Sequence, residues 1–297
     1  MASAIPPAIH LSPPPTGGTR PPSRLRCAAT SGSTTTTYWA AAEAEVEAHL
    51  GASIPTAPPP SVRGPFLRLV SSAPRTMAPA LCVAACELVG GRRQLALGAA
   101  CALRLLHSAF HAHRPLLGLP GPAACPERDA PLADGVRLLT ADGLLPLGFQ
   151  LVADSGGGIE PGRVLQVMAE ISEAAGAQGM AEGEYEEILH LETGGGGDEA
   201  EWMERVCRKT EGKLYACAGA CGAILGGAGG EETEKLRRWG MYVGTLHGLL
   251  YGGGFGEVGR EERAAVAREL RSLALSEMEG FHGDEKDAIV GLVDVRL

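Results

Sequence analysis

A chain of 297 residues is long enough to bury a substantial core, as one large domain or two small ones. Apolar residues make up 45% of it but aromatics only 4%, so Ala and Gly carry much of the apolar content; that favours close helix–helix packing over a β-sandwich. A formal charge of −9 excludes a broad nucleic-acid surface and opposes adsorption to an anionic membrane, while eight cysteines are too sparse for a disulfide scaffold and suit a reducing or redox-regulated compartment.

Residues 1–42 differ in composition from the rest. They hold no Asp or Glu, three Arg (Arg20, Arg24, Arg26), seven Pro and twelve Ser or Thr, with no apolar h-region. An acid-free, hydroxyl-rich, mildly basic leader is the pattern of an organellar transit peptide, and the excess of Ser, Thr and Pro over Arg points to a plastid, stromal or thylakoid-associated. RLRCAA (24–29) offers a cleavage region; an ordinary disordered tail is the alternative. A helix at 38–50 precedes a second Pro-rich stretch, IPTAPPPSVRGP (54–65), so 43–65 reads as a linker region and ordered structure is expected from Phe66 or Met77.

Beyond that point the pattern is helical. Pro79 suits a first helical turn, and PALCVAACELVG runs to the Gly90–Gly91 pair. Apolar residues at helical spacing fill 95–113 before Pro115, Pro120, Pro122 and Pro126 interrupt the backbone. Further helices are expected at 132–153, 162–181, 198–226, 231–251 and 261–280, with Asp198 capping and Glu201 three residues on. No segment alternates with period two for long enough to make a sheet, so an all-α helical domain is expected over 66–297. The uncharged run YACAGACGAILGGAGG (215–230) is short of spanning length and reads as a buried helix, not a transmembrane span.

Two CxxxC pairs stand out, Cys82 with Cys86 and Cys217 with Cys221. On a helix each pair shares one face, with Cβ atoms about 5–6 Å apart. Small neighbours let another helix approach, so the pairs suit either buried packing or a surface shared with a partner. No CxxC zinc spacing occurs. Clustered histidines at His107, His111 and His113 raise a metal or thiol-redox module as one reading, but HExxH would need Glu where Ser108 stands, and structural histidines are the alternative. The runs GGG (156–158) and GGGG (194–197) lack a following Lys-Ser/Thr and read as loops, not phosphate cradles.

The ordered series TMAPALCVAACELVGG, AACALRLLH, TADGLLPLGF, CRKTEG and GAILGGAGGEETEKLRRWGMYVG resembles plastid geranylgeranyl diphosphate synthases of the trans-isoprenyl diphosphate synthase family. The resemblance implies an all-α fold and the ionisation of an allylic diphosphate, with Mg²⁺ ions held by a DDxxxxD and a DDxxD motif. At the first motif this chain has RPLLGLP, with Arg114 and Pro115 at the paired Asp positions and Pro120 at the third. Pro115 should also disfavour helix at Arg114. At the second it has YGGGF, with Tyr251, Gly252 and Phe255 in place of the three Asp. Of the diphosphate-binding basic groups, Arg75 stands in for a Lys while Thr76 and Ala78 replace arginines. Lys209 and Thr210 remain, and a Gly-Gln motif becomes Gly183–Glu184.

A retained scaffold without Asp clamps, carrying two CxxxC pairs, resembles the small subunits of heterodimeric geranyl(geranyl) diphosphate synthases. That implies a non-catalytic subunit with no cofactor of its own, Mg²⁺ belonging to a catalytic large-subunit partner. It also implies Cys82, Cys86, Cys217 and Cys221 as partner-binding residues, with Arg75, Lys209 and Thr210 as residual diphosphate contacts. The alternative is a divergent active prenyltransferase using Asp129, Asp134, Asp142 or Glu231 and Glu232 as substitute ligands.

Overall fold

The computed structural model of the chain describes residues 33–54, 60–119, 132–155, 157–195, 198–251 and 260–294. These residues form α-helices joined by short turns, with no strand among them. In chain order the helices are α1 (Ser33–Ser53), α2 (Pro60–Ser72), α3 (Ala78–Leu88), α4 (Arg93–His113), α5 (Asp134–Asp154), α6 (Pro161–Ala175), α7 (Met180–Thr193), α8 (Glu199–Cys207), α9 (Lys213–Gly226), α10 (Gly230–Tyr251), α11 (Arg260–Glu277) and α12 (Asp284–Val290). A 3₁₀ turn (Arg114–Leu117) ends α4, and a π-helical turn (Arg208–Gly212) joins α8 to α9.

Three helices, α3, α4 and α9, are buried on nearly every face and form the centre of the bundle. A helix that is apolar all round belongs in an interior, and here Ala, Gly and Cys supply the small size that lets neighbours close in. The tightest approach is between α3 and α9. A Cβ added at Gly222 would lie 2.2 Å from the Cys82 carbonyl oxygen and 2.8 Å from the Ala85 Cβ, so only glycine fits. Residues 215–230, the uncharged run, fall mainly in this buried α9.

The chain is ordered earlier than its proline content suggests. Trp39, Ala42, Val46, Leu50 and Ile54 recur every three or four residues and are buried, so α1 lays one apolar face on the core. Polar contacts fix its other edge: Tyr38 donates to Glu87 at 2.6 Å, and Arg93 bridges Glu45 (3.0 Å) and Glu87 (2.7 Å). The expected linker over 43–65 is therefore corrected: 43–53 is the latter part of α1, and α2 begins at Pro60, where a proline's missing N–H costs nothing. Residues 1–32 and 55–59 lie outside the described residues.

Two other boundaries move. The helix expected over 162–181 stops at Ala175, because Gly176 takes an extended backbone (φ −80, ψ −163), and α7 follows where no helix was expected. The run 198–226 is continuous but not uniform, since the π turn adds one residue to a helical turn in its middle. Its start matches expectation: Asp198 accepts from the backbone N–H of Ala200 (2.9 Å) and Glu201 (3.2 Å). Glu201 turns outward to Arg205 (3.3 Å).

Gly222→Ala should destabilise the protein by about 1–3 kcal/mol, although Ala is the better helix former. A thermal melt of the variant no lower than wild type would contradict the packing described for α3 and α9.

Candidate functional site

The positions that should carry the first metal clamp lie at the end of α4. Arg114 keeps right-handed helical dihedrals (φ −47, ψ −48) despite the proline that follows, and the helix tightens into the 3₁₀ turn and stops at left-handed Gly118 (φ 70). Helix was expected to be disfavoured at Arg114; the α-helix ends at His113, and Arg114 and Pro115 continue as a 3₁₀ turn, in whose first turn a proline needs no N–H.

This geometry aims the Arg114 guanidinium at α7. Its Nη1 and Nη2 donate to the two carboxylate oxygens of Glu187 at 2.9 and 2.7 Å, a bidentate fork, and Glu184 stands 3.7 Å from Nη1. The side chains are 16%, 8% and 9% exposed for Arg114, Glu187 and Glu184, so water screens the cluster weakly. Burial pushes the Glu184 carboxyl up to about 7; Arg114 opposes that shift and the Glu187 charge adds to it.

The basic group that remains, Lys209, is saturated in the same way. Lys209, on the π turn, lies 2.7 Å from Glu182 and 2.5 Å from Glu186, both on α7, and these partners hold its pKa above the usual lysine range. Thr210 donates its hydroxyl to the Val206 carbonyl at 2.8 Å. Helix α7 can approach the π turn because residue 183 is glycine: a Cβ there would be 2.7 Å from the Thr210 methyl. Arg75, between α2 and α3, is 77% exposed and faces Glu43 of α1 at 3.6 Å, not the acids of α7.

Tyr251 ends α10 with its side chain largely exposed and its ring edge-on to His247 at 5.9 Å. Pro120, Gly252, Phe255 and Asp129 lie outside the described residues. The three histidines do not converge. His107 and His111 meet edge-on (4.8 Å), His107 lies 3.7 Å from Glu211, and His113 pairs with Asp142 at 3.1 Å. Burial, then the charges of His107, Arg114 and Arg104, hold His111 neutral with its pKa down to about 2. Asp134 opens α5, while Glu231 and Glu232 lie in the first turn of α10, where Glu232 accepts from the Gly229 N–H (3.1 Å). Among the described residues no three His, Cys, Asp or Glu side chains are grouped to hold a metal ion.

No protein-family model matches the chain. It is 41% identical over 266 residues to the chloroplastic heterodimeric geranylgeranyl pyrophosphate synthase small subunit 2 of Cannabis sativa, a match covering 86% of this chain and 90% of that protein. The chain belongs to this small-subunit family. The crystal structure of the geranyl diphosphate synthase small subunit from Antirrhinum majus has 42% identity and a TM-score of 0.76, covering 88% of this chain and 99% of that one. A chain from a mint deletion mutant of heterotetrameric geranyl pyrophosphate synthase in complex with ligands has 41% identity and a TM-score of 0.75, covering 87% and 99%. The all-α fold of this small-subunit relative is thus that of the isoprenoid synthases.

The Mg²⁺ that such synthases use does not fit the residues this family member has at the first clamp. A hard cation needs several oxygen ligands in octahedral array, and the oxygens of Glu187 are occupied by a guanidinium that carries the same sign of charge.

The cysteine pairs lie on the two central helices α3 and α9. Cys82, Cys86, Cys217 and Cys221 are each at most 2% exposed, in the seam between α3 and α9. The Cys217 and Cys221 sulfurs are 3.7 Å apart, and Cys86 donates to the Arg92 carbonyl at 3.5 Å. Small residues let the two helices close on each other within one chain, and the four sulfurs are buried there. Burial pushes the Cys86 thiol up to about 12 and Cys82 well above its usual value, so both stay protonated and unreactive.

Because Glu184 titrates higher in the fold than in the unfolded chain, its protonated form is the one the fold favours; the penalty for ionising it builds from about pH 4.5 and is complete above about 7. Glu184→Gln should therefore raise the melting temperature by a few degrees at pH 8, equivalent to about 2 kcal/mol, and leave it unchanged near pH 4. Parallel melts of wild type and variant across that range check the sign.

Proposed function

We propose that the protein is a non-catalytic subunit that binds a catalytic geranylgeranyl diphosphate synthase large subunit and modulates that enzyme's activity, product chain length or location in isoprenoid biosynthesis. One observation carries the reading: the basic groups near the catalytic position, the substituted Arg114 and the retained Lys209, are both held by the chain's own carboxylates on α7. Ionising an allylic diphosphate needs cations that can follow charge onto the leaving group. A diphosphate entering here would instead meet Glu182, Glu184, Glu186 and Glu187, and would have to displace ion pairs already made. Residual diphosphate affinity at Lys209 and Thr210 is therefore weak, and the Mg²⁺ of the complex belongs to the partner.

The surface that suits a partner is on α5. This helix is long and apolar enough to cross a membrane by length and composition, as is Arg93–Leu117, but only 39% of its apolar window is buried against 78% of the other. Leu139 is 74% exposed, with Val136 and Leu138 beside it, and Leu165 on α6 is 67% exposed. Such an apolar face fits the matching face of a second helical subunit. The role of the cysteine pairs in that pairing is indirect: they set the spacing of α3 and α9 and so the shape of the bundle.

A plastid location follows from the acid-free leader, and from the chloroplastic designation of the Cannabis sativa relative. Cleavage in 24–29 would leave all of α1, from Ser33, in the mature chain.

The purified chain, given allylic and homoallylic diphosphates with Mg²⁺, should show no turnover, and adding a catalytic large subunit should produce activity with an altered product distribution. Turnover by the chain alone at rates typical of active synthases would overturn the proposal. Cys82→Ser with Cys86→Ser, and Cys217→Ser with Cys221→Ser, should each weaken pairing, because a hydroxyl replaces a thiol in a dry seam. Co-purification with the large subunit unchanged for both double variants would remove the cysteines from the mechanism.

A further inference from the structure

Helix α7 is attached to the bundle differently from its neighbours. Among its described residues only Met180 belongs to the hydrophobic core, and the rest of its buried face is Gly183, Glu184 and Glu187. Ile188 is half-buried, while Tyr185, Leu189 and Leu191 lie exposed. By contrast α9, of the same length, buries Leu214, Tyr215, Ile224 and Leu225. A helix this short is marginal without an apolar face to anchor it, and segments with few buried apolar contacts open locally without global unfolding.

What ties α7 down is charge. Glu187 takes the Arg114 fork at the end of α4, and Glu182 and Glu186 share Lys209 of the π turn. Arg205 of α8 stands 3.8 Å from Glu186, and His190 stacks on Trp202 of α8 with ring centroids 3.7 Å apart and lies 3.2 Å from Glu199. The π turn, α8 and α6 are the elements packed against α7, and their other charges are paired away from it: Arg208 with Glu204, Glu211 towards His107, Glu173 with Lys213. Glycines bound the helix on both sides. Gly176 is extended and Gly179 takes φ −139, ψ −128 before it, and Gly194 and Gly195 are left-handed (φ 76) after it. Residues of this kind at the ends of an element absorb the dihedral change of a hinge.

The Arg114 cluster is unbalanced when fully ionised, because two carboxylates then face one guanidinium in a site that water barely reaches. Both Glu187 oxygens are taken by the fork, which leaves Glu184 a 3.7 Å approach to Nη1. One proton on Glu184 balances the charges, and its loss sets a second anion beside Glu187 at i,i+3.

We propose that α7 is an ionically latched flap, hinged at 176–179 and 194–195, that opens as a unit and opens more often once Glu184 has lost its proton. Opening separates Arg114 and Lys209 together from the acids of α7. The Glu184 carboxyl is pushed up to about 7 with α7 closed and returns towards 4.5 when open to water. The latch is therefore strongest below about pH 4.5, weakens as pH rises and is at its weakest above about 7. His111, the nearest histidine to Arg114 on α4, stays neutral through this range.

Hydrogen–deuterium exchange of the full chain, read by mass spectrometry between pH 5.5 and 8 and corrected for the intrinsic pH dependence of amide exchange, tests the flap. Peptides from 180–193 should exchange at least tenfold faster than those of α3 and α9 at every pH. Their opening constant should rise roughly tenfold or more from pH 5.5 to 8. Glu184→Gln should hold α7 near its pH 5.5 level up to pH 8, and Arg114→Met should speed its exchange by roughly tenfold or more. If Arg114→Met loses the whole fold, seen as unprotected α3 and α9, Glu184→Gln decides alone. Exchange of α7 no faster than that of α3 and α9 would mean that it opens only with the whole bundle, and overturns the proposal. So does a flat pH profile in wild type, or a pH dependence that survives in Glu184→Gln and so belongs to another group, such as the His190–Glu199 pair.

Discussion

A guanidinium gripped by two carboxylates governs what the rest of this bundle can do. Arg114 follows α4 at the start of its closing 3₁₀ turn, and its fork onto Glu187, with Glu184 close by, ties the end of α4 to α7. A buried ion pair of this kind is costly to form, but breaking it by removing one partner costs more, because the other charge is left in a dry site. The cluster is thus self-consistent: once Arg114 is present the acids of α7 are needed, and once those acids are present an entering anion is repelled. Lys209 repeats the arrangement on the opposite side of α7, with Glu182 and Glu186. In both places positive charge is held in internal cross-links.

The second constraint is steric. With few aromatics, the core depends on helices approaching closely, and α3, α4 and α9 do so through Ala, Gly and Cys. The four cysteines of the CxxxC pairs belong to this packing, as buried groups of a particular size and apolarity. On the outward side of the bundle α5 leaves Val136, Leu138 and Leu139 exposed.

Much of this was legible in order of residues. The all-α class followed from composition and helical spacing, and the Asp198 cap appeared where the DEAE stretch placed it. That Arg114, Pro115 and Tyr251 stand where the resemblance places Asp residues was readable without any coordinates. Two things were hidden. Proline content masked α2, because a proline in a first turn looks the same in sequence as one in a linker, and the extent of α1 beyond 38–50 rested on the apolar spacing from Trp39 to Ile54. Helix α7 was missed because glycines flank it. With it went the meaning of its acids, although Glu184 and Glu187 at i,i+3 and Glu182 and Glu186 at i,i+4 carry the helical signal once the segment is read as a helix.

By itself, then, the sequence determined the helical class and the chain's membership of an isoprenoid-synthase lineage, since helical spacing and residue order are local properties of the chain. Only the tertiary structure decided where the replacements point. Whether Arg114 is a free cation or half of a buried pair depends on a helix some seventy residues away in the chain, and whether a CxxxC pair faces a partner or its own fold depends on which helix packs against it. Such contacts are set by three-dimensional closure, and no local pattern encodes them.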